Sequence, residues 1–298
     1  MAIESSVLDE WYPVAVIEDL KPGVTYATRV LGVPVEYLSD GTGAVRATRT
    51  DTGRPCRAQQ RLHTVWLSLG DPPADTFALP EFDEPDRRIL GAGSFAVHAS
   101  GLRVIENFLD MAHFPYVHTG LLGEEPHTEV APYRVEHEGG ELFARDCRFY
   151  QPMSAASAQT GIDAHYVYRV ARPFTAMLYK TSPQQPARRD VICLFVQPVD
   201  AWRCVAHTVL VYLDETTSDR GLRLFQQTIF GQDLMILSNH VPRTLPLDPS
   251  FEVPTRADAM SVAYRRWLRE RGVIYGTFST VAAPGTASGT SASSPAAH

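Results

Sequence analysis

Two histidines that lie five residues apart, His113 and His118, form the pair most suggestive of chemistry in this chain. On a continuous helix their side chains would point about 140° apart, because an α-helix has 3.6 residues per turn. Pro115 lies between them and disfavours the helical conformation in the residue before it, so the helix is expected to end near His113. The chain can then turn back and bring both imidazoles to one point. This arrangement suits two ligands of one metal ion.

A carboxylate for the same metal is expected from Asp233, more than a hundred residues later. The segment 221–240 is predicted to be helical, with an apolar stripe formed by Leu222, Phe225, Ile229 and Ile236. Asp233 falls within this stripe, and a buried carboxylate is costly unless it is paired or bound to a metal. Either it pairs with an arginine from elsewhere, or it completes the triad of two histidines and one carboxylate that is typical of non-haem iron(II) oxygenases. His240 lies on the same stripe and is a candidate for lining the pocket.

An amphipathic helix is predicted before the histidine pair, from a stripe that consists of Leu102, Ile105, Leu109 and Ala112. A second face of this helix carries Glu106, Asp110 and His113, with Asn107 beside them. A polar stripe is often only the solvated side of a helix. The second histidine and the distant carboxylate favour a functional site instead, with Asn107 and Asp110 as neighbours of the metal.

The segment from Glu106 to His118 resembles the iron-binding motif of the large subunits of Rieske non-haem iron oxygenases. Other segments resemble landmarks along the same family, namely residues 11–15 (WYPVA), 65–72 (VWLSLGDP), 245–247 (LPL) and 257–268 (ADAMSVAYRRWL). The resemblance covers most of residues 9–275. It implies an α+β protein, in which an all-β domain related to the Rieske domain precedes a helix-grip-like catalytic domain with an antiparallel sheet and long helices.

The chain departs from this family at the Rieske cluster. A Rieske [2Fe–2S] centre needs two cysteines and two histidines. The family carries them in the region that corresponds to residues 47–62, where this chain has one cysteine, Cys56, and no histidine. Cys204 and His207 have the spacing of half a site, but they lie in an apolar, strand-like run. We therefore expect a truncated Rieske-like domain without a [2Fe–2S] cluster.

The resemblance also implies roles for individual residues. It implies a mononuclear Fe(II) bound by His113, His118 and Asp233. In the family, the carboxylate at the position of Asp110 links an iron-ligating histidine to the cluster of the neighbouring subunit. Asp110 is thus expected to act in catalysis at the point where electrons enter, and to hold the imidazole one helical turn further on.

The redox cofactors that this chain lacks are expected on partner proteins. We expect a Rieske-containing reductase, or a sister oxygenase subunit, and the partners would carry the NAD(P)H site, the flavin and the iron–sulfur centres. The sequence has no glycine-rich nucleotide-binding motif of its own. Because family members commonly form trimers, a homotrimer or a mixed trimer is expected.

The chain is predicted to have five parts, namely a loose N-terminus (1–8), the truncated Rieske-like β domain (9–72), a linker (73–86), the catalytic domain (87–276) and a disordered tail (277–298). Apolar runs predict strands in the catalytic domain at 142–150, 164–170, 174–180, 191–196 and 203–213. Two long helices are predicted after them, at 221–240 and 256–271.

Composition narrows the class of protein. The 298 residues are enough for a large core, and the four scattered cysteines form neither a disulfide framework nor a zinc pattern. A net charge of −7 argues against nucleic acid as a partner. The sequence shows no signal-like leader and no apolar run of about 18 residues, so we expect a cytoplasmic enzyme that does not enter membranes.

The short first domain and the chain length resemble those of methylxanthine N7-demethylase oxygenase components. This resemblance implies an O2-dependent monooxygenase that hydroxylates the N7-methyl group of a methylxanthine and releases formaldehyde. Ring hydroxylation or O-demethylation of another aromatic or heterocyclic substrate would need the same iron site. A third alternative is a non-catalytic subunit of an oxygenase complex.

Overall fold

The computed structural model describes residues 3–72 and 76–278. A short helix, α1 (Ser5–Leu8), is followed by an antiparallel sheet of six strands in the order β1-β6-β5-β4-β3-β2. Its strands are β1 (Tyr12–Val16), β2 (Thr25–Val30), β3 (Val33–Ser39), β4 (Val45–Arg49), β5 (Pro55–Arg61) and β6 (Thr64–Ser68). The turn between β4 and β5 spans only residues 50–54. Residues 47–62, which correspond to the cluster-bearing region of the family, therefore include a tight hairpin of β4 and β5.

The second sheet has seven antiparallel strands in the order β7-β13-β12-β11-β10-β9-β8. These strands are β7 (Arg88–Val97), β8 (Arg134–Glu138), β9 (Glu141–Gln151), β10 (Ile162–Arg172), β11 (Thr175–Thr181), β12 (Arg189–Pro198) and β13 (Cys204–Tyr212). Each of the five predicted strand runs falls on one of the strands β9 to β13. Strands β10 to β13 are mostly buried and provide a rigid wall for a site, whereas β8 is short and has no buried residue.

Helices α2 (Gly101–Leu109) and α3 (Phe114–Val117) follow β7, and helices α4 (Asp219–Leu237) and α5 (Ala259–Glu270) follow β13. Helix α4 is held against β7 by side chains that reach the strand backbone: Gln227 Nε2 donates to the Ala92 carbonyl at 2.7 Å and Arg223 Nε to the Gly91 carbonyl at 2.9 Å. Two short parallel strands, β14 (Leu245–Pro246) and β15 (Thr277–Phe278), pair near the C-terminal end of the described chain. No helix in the described ranges has the length and hydrophobicity that a membrane crossing requires.

Aromatic side chains join the two sheets. Trp66 on β6 packs against Phe195 on β12 with ring centroids 5.0 Å apart, and Phe77 contacts both rings. Phe77 belongs to the predicted linker, whose residues 80–83 form a 3-10 turn. The described part of the linker therefore packs into the core as well as connecting the sheets, because Phe77 and Leu79 are buried.

Residues 5–8, within the predicted loose N-terminus, and residues 277–278, at the start of the predicted tail, have regular structure. Val7 is fully buried and its carbonyl accepts a hydrogen bond from the Tyr12 hydroxyl, so residues 5–8 form a packed turn of helix. Residues 277 and 278 form β15. The remainder of the predicted tail, residues 279–298, lies outside the described residues.

The Cys-x-x-His spacing at Cys204 and His207 has a structural explanation. Both residues lie on β13, and side chains three residues apart on a strand point to opposite faces of the sheet. His207 Nδ1 lies 3.0 Å from Ser94 Oγ. Burial lowers the pKa of His207 to about 4, so this imidazole is a neutral member of the core.

Candidate metal centre and substrate cavity

The histidine pair lies at the two ends of the one-turn helix α3, with His113 as its N-cap and His118 as its C-cap. Helix α2 ends at Leu109, four residues before the predicted end. Asp110 causes this early end: its backbone is extended, and its Oδ1 accepts a hydrogen bond from the Ala112 amide at 2.7 Å. Pro115 therefore does not terminate the first helix. It lies in the first turn of the next one, where its missing N–H is not needed.

Asp233 lies on the buried face of α4, as predicted, but most other residues of this face differ from the predicted stripe. The other buried residues of α4 are Leu222, Gln226, Phe230 and Leu237. Ile236, which was placed in the stripe, is exposed. The helix ends at Leu237, so His240 follows it in a loop and does not share the face of Asp233.

The side chains of His113, His118 and Asp233 converge on one point. The Nε2 atoms of the two histidines are 3.1 Å apart, and Asp233 Oδ1 lies 3.3 Å from His113 Nε2 and 3.2 Å from His118 Nε2. This group of potential ligand atoms lies within 4.8 Å. In the described residues it is the only such group of three or more His, Cys, Asp or Glu side chains.

Neighbouring side chains orient all three members of this triad. His113 Nδ1 lies 3.1 Å from Asp110 Oδ2, and His118 Nδ1 lies 2.8 Å from Gln232 Oε1. Both partners are acceptors, so each Nδ1 carries a proton and each Nε2 faces the centre, where it can bind a metal ion in exchange for a proton. Asn107 Nδ2 donates to Asp233 Oδ1 at 3.0 Å.

Three acceptor atoms that face one point repel each other unless a cation lies between them. Burial lowers the pKa of His113, but the hydrogen bonds that its ring donates to the Asp110 and Asp233 carboxylates outweigh this effect and raise that pKa to about 9. Burial raises the pKa of Asp233, but the two histidines outweigh this effect and hold it at about 2. The triad therefore attracts positive charge strongly, and its donor set fits a divalent iron with open coordination positions.

Sequence reasoning identified Asn107 and Asp110 but missed Gln232. The glutamine precedes Asp233 on α4 and its exposed fraction is intermediate. Only the approach of α3 shows that its amide meets an imidazole. Nothing in the spacing of the sequence distinguishes Gln232 from other polar residues of α4.

An interior cavity, here called the inner cavity, lies between α4 and the seven-stranded sheet and reaches the triad. Its wall is largely apolar and includes Phe108, Phe114, Leu178, Ile192 and Phe230. Polar side chains also reach it, among them Gln151, Tyr166, Tyr168, Lys180, Thr208 and Gln226. The cavity is thus suited to a mainly apolar ligand that carries several polar atoms.

A second depression, here called the outer hollow, opens to solvent on the other side of the triad. Asn107, Asp110, His113 and His240 line it, together with exposed Val241 and Val253. His240 therefore belongs to this hollow and not to the inner cavity. Beneath it, Arg103 and Arg265 form buried ion pairs with Glu106.

The sequence matches the family of vanillate O-demethylase oxygenase C-terminal domains over residues 97–272, which is more than half of the chain. The chain belongs to this family. The probable methylxanthine N7-demethylase NdmC of Pseudomonas sp. (strain TJI-51) is 52% identical over 93% of this chain and 98% of its own length. The methylxanthine N1-demethylase NdmA of Pseudomonas putida is 26% identical over 71% of this chain and 59% of its own length.

The structure of Pseudomonas putida CBB5 NdmA with caffeine superposes on this Rieske-type oxygenase chain with a TM-score of 0.73. The superposition covers 89% of this chain and 91% of that chain at 18% sequence identity, so it bears on the fold alone. The predicted α+β fold with antiparallel sheets is confirmed, and so is the predicted resemblance to Rieske non-haem iron oxygenases.

Proposed function

We propose that the protein is the oxygenase component of a multi-protein N-demethylase, which acts on the N7-methyl group of a methylxanthine. The observation that carries this proposal is the convergence of His113, His118 and Asp233, with oriented imidazoles, at the wall of a largely apolar cavity that polar side chains also reach. Relatives named as methylxanthine demethylases support the substrate class. The N7 position comes from the name of the relative that is 52% identical.

His113, His118 and Asp233 would hold one iron(II), which supplies the oxidising chemistry with O2 when it is bound. In the overall reaction, N–CH3, O2, two electrons and two protons give N–CH2OH and H2O. The C–N bond of the hydroxymethyl product then breaks, which leaves N–H on the ring and releases formaldehyde. No free oxidant other than O2 is needed.

The protein's own groups perform three tasks. Asp110, Gln232 and Asn107 fix the orientation of the triad. The apolar wall of the inner cavity excludes water from the reacting methyl group. Asp110 lies in the outer hollow and contacts His113, so it offers a short route between a docked electron donor and the triad.

A Rieske-bearing partner is proposed to dock at the outer hollow, either a reductase or a sister oxygenase subunit. Exposed apolar side chains surround this hollow: Val241 is 91% exposed and Val253 is 93% exposed. Ile236, which lines the same hollow, is exposed as well, and several exposed apolar side chains that lie together mark a protein contact site. A homotrimer or a mixed trimer is the proposed core of the complex. Cross-links that place every partner contact far from residues 106–118 would contradict this docking.

Turnover tests the proposal. The iron-loaded protein is combined with a Rieske-bearing reductase and NAD(P)H, and a panel of methylated purines and methoxyarenes is scored for formaldehyde. We expect formaldehyde in equal amount to the product that has lost its N7-methyl group, and none with a reductase that lacks a Rieske centre. Formaldehyde from methoxyarenes alone would favour the O-demethylase alternative. An iron-loaded protein with no turnover on any member would favour a non-catalytic subunit.

A further inference from the structure

The inner cavity contains polar groups that an apolar ligand would leave unsatisfied. Within residues 3–72 and 76–278, five buried polar atoms of its wall have no hydrogen-bond partner, namely the Oε1 atoms of Gln151 and Gln226, the hydroxyl oxygens of Tyr166 and Tyr168, and Oγ1 of Thr208. Native proteins leave few buried polar atoms unpaired. A ligand with its own donors and acceptors therefore matches this cavity.

Lys180 brings an amine to the same wall. It is only 6% exposed, and it lies directly opposite Tyr166 in the register of β10 and β11. Strand alternation explains its direction, because Leu178, two residues earlier, also lines the cavity. Among the described residues that line the inner cavity, Lys180 is the only lysine or arginine.

The amine of Lys180 has N–H donors that its hydrogen bond to Ser154 does not use. Its Nζ donates to the carbonyl of Ser154, and Asp190 lies opposite Lys180 in the register of β11 and β12. The nearby carboxylate of Asp190 accepts a hydrogen bond from the Leu213 amide at 2.8 Å. Burial outweighs the attraction of Asp190 and lowers the pKa of Lys180 to about 7. In either protonation state the amine retains at least one N–H for a ligand.

The triad and Lys180 both line the inner cavity. The Phe114 ring, which lines the same cavity, has its centroid 5.0 Å from that of His113 and 6.4 Å from that of Tyr166. Tyr166 on β10 lies directly opposite Lys180 on β11, and neighbouring strands are about 4.8 Å apart. A ligand that contacts Lys180 can therefore present its other end to the triad.

We infer that Lys180 determines substrate specificity by donating a hydrogen bond to a ring carbonyl oxygen, while Gln151 and Gln226 accept hydrogen bonds from ring N–H groups. A carbonyl beside an N–H is a lactam, the unit found in oxidised purines. An aryl methyl ether has no N–H to satisfy the two glutamine oxygens. The inference rests on the proposed function and adds the residues that select the ring.

Binding of small probes to the iron-loaded protein, without reductase, tests this role by calorimetry. The probes are 7-methylxanthine, which has two lactam units, and 1-methylbenzimidazole, which has a fused N-methylated ring without carbonyl groups. We expect Lys180→Met to raise the Kd of 7-methylxanthine about 10- to 100-fold. The Kd of 1-methylbenzimidazole should change less than about 3-fold, and Lys180→Gln, which keeps an N–H donor, should recover part of the loss. Met177→Leu is the matched control, because Met177 lies on the same strand but is not part of the cavity wall; it should leave both Kd values nearly unchanged.

Other outcomes overturn the inference. An equal loss of affinity for both probes in Lys180→Met would show that the lysine only anchors the loop at Ser154. Binding of 3-methoxybenzoate that depends on Lys180 would show that the amine recognises a carboxylate. If the wild-type protein demethylates 7-methylxanthine and Lys180→Met keeps its KM, the inference fails alone. If the wild-type protein neither binds nor demethylates it, the proposed function fails as well.

Discussion

Replacing Gln232 by leucine should weaken iron binding without touching a ligand. Gln232 Oε1 accepts the hydrogen bond from His118 Nδ1 at 2.8 Å, and His118 is only 1% exposed. Leucine cannot accept this bond, so the imidazole N–H would be left unpaired in a place that water does not reach. The ring would lose the interaction that fixes its tautomer and orientation. Leucine and glutamine have similar helix propensities, so α4 should persist.

The expected magnitude follows from the role of this hydrogen bond. Loss of a partner that orients a metal-ligating histidine typically weakens metal affinity 10- to 100-fold, which corresponds to about 1.4–2.7 kcal/mol. The metal-free protein should lose only about 0.5–1.5 kcal/mol in the free energy of unfolding, the contribution of one hydrogen bond. The loss in affinity should thus exceed what general destabilisation explains.

Anaerobic titration with iron(II) against a competing chelator measures this change. Gln227→Leu is the matched control, because it makes the same replacement on the same helix at a residue whose amide donates to the Ala92 carbonyl on β7. We expect the control to keep its iron affinity within about 2-fold, since it contacts no member of the triad. Unchanged affinity in Gln232→Leu, or an equal loss in both variants, would refute the reasoning.

Three further predictions concern electron entry, the ligand turn and the buried amine. Asp110→Ala should fold and bind iron at saturating concentration, yet lose formaldehyde release with a Rieske-bearing reductase; retained turnover would remove Asp110 from the electron route. Gly123→Ala should lower iron affinity, because its Cβ would lie 2.7 Å from the Pro115 backbone nitrogen, whereas the control Gly231→Ala, with open space around its Cβ, should raise the thermal midpoint. The unfolded state binds more protons at Lys180 between pH 7 and 10.5, so the stability of the wild-type protein relative to Lys180→Met should rise with pH across this range, by up to about 1.4 kcal/mol per unit. A pH-independent difference in chemical denaturation would contradict that assignment.

Much of the site was predictable from spacing and polarity. Asp233 stood out because a carboxylate interrupts an apolar helical stripe, and it does lie on the buried face of α4. The position of Pro115 predicts a helix end near His113, but α2 ends four residues earlier, at Leu109. The turn that Asp110 forms with the Ala112 amide is a local competition for backbone hydrogen bonds, and its outcome is decided by packing.

Other residues of the site could not be read from the sequence to the same extent. Gln232 approaches His118 only because α3 and α4 meet in space. The predicted helix extends to residue 240, but α4 ends at Leu237, so His240 lies in the following loop and not on the face of Asp233. The sequence indicates the direction of Lys180 only weakly. Lys180 shares a face of β11 with Leu178, two residues earlier, but a single lysine near the end of a strand is usually predicted to be exposed.

Iron-edge anomalous diffraction from crystals loaded anaerobically with iron(II) tests the central claim most directly. We predict one anomalous peak, about 2.0–2.3 Å from His113 Nε2, His118 Nε2 and a carboxylate oxygen of Asp233. Absence of a peak between these side chains after loading, or a peak at another place in the chain, would contradict the account.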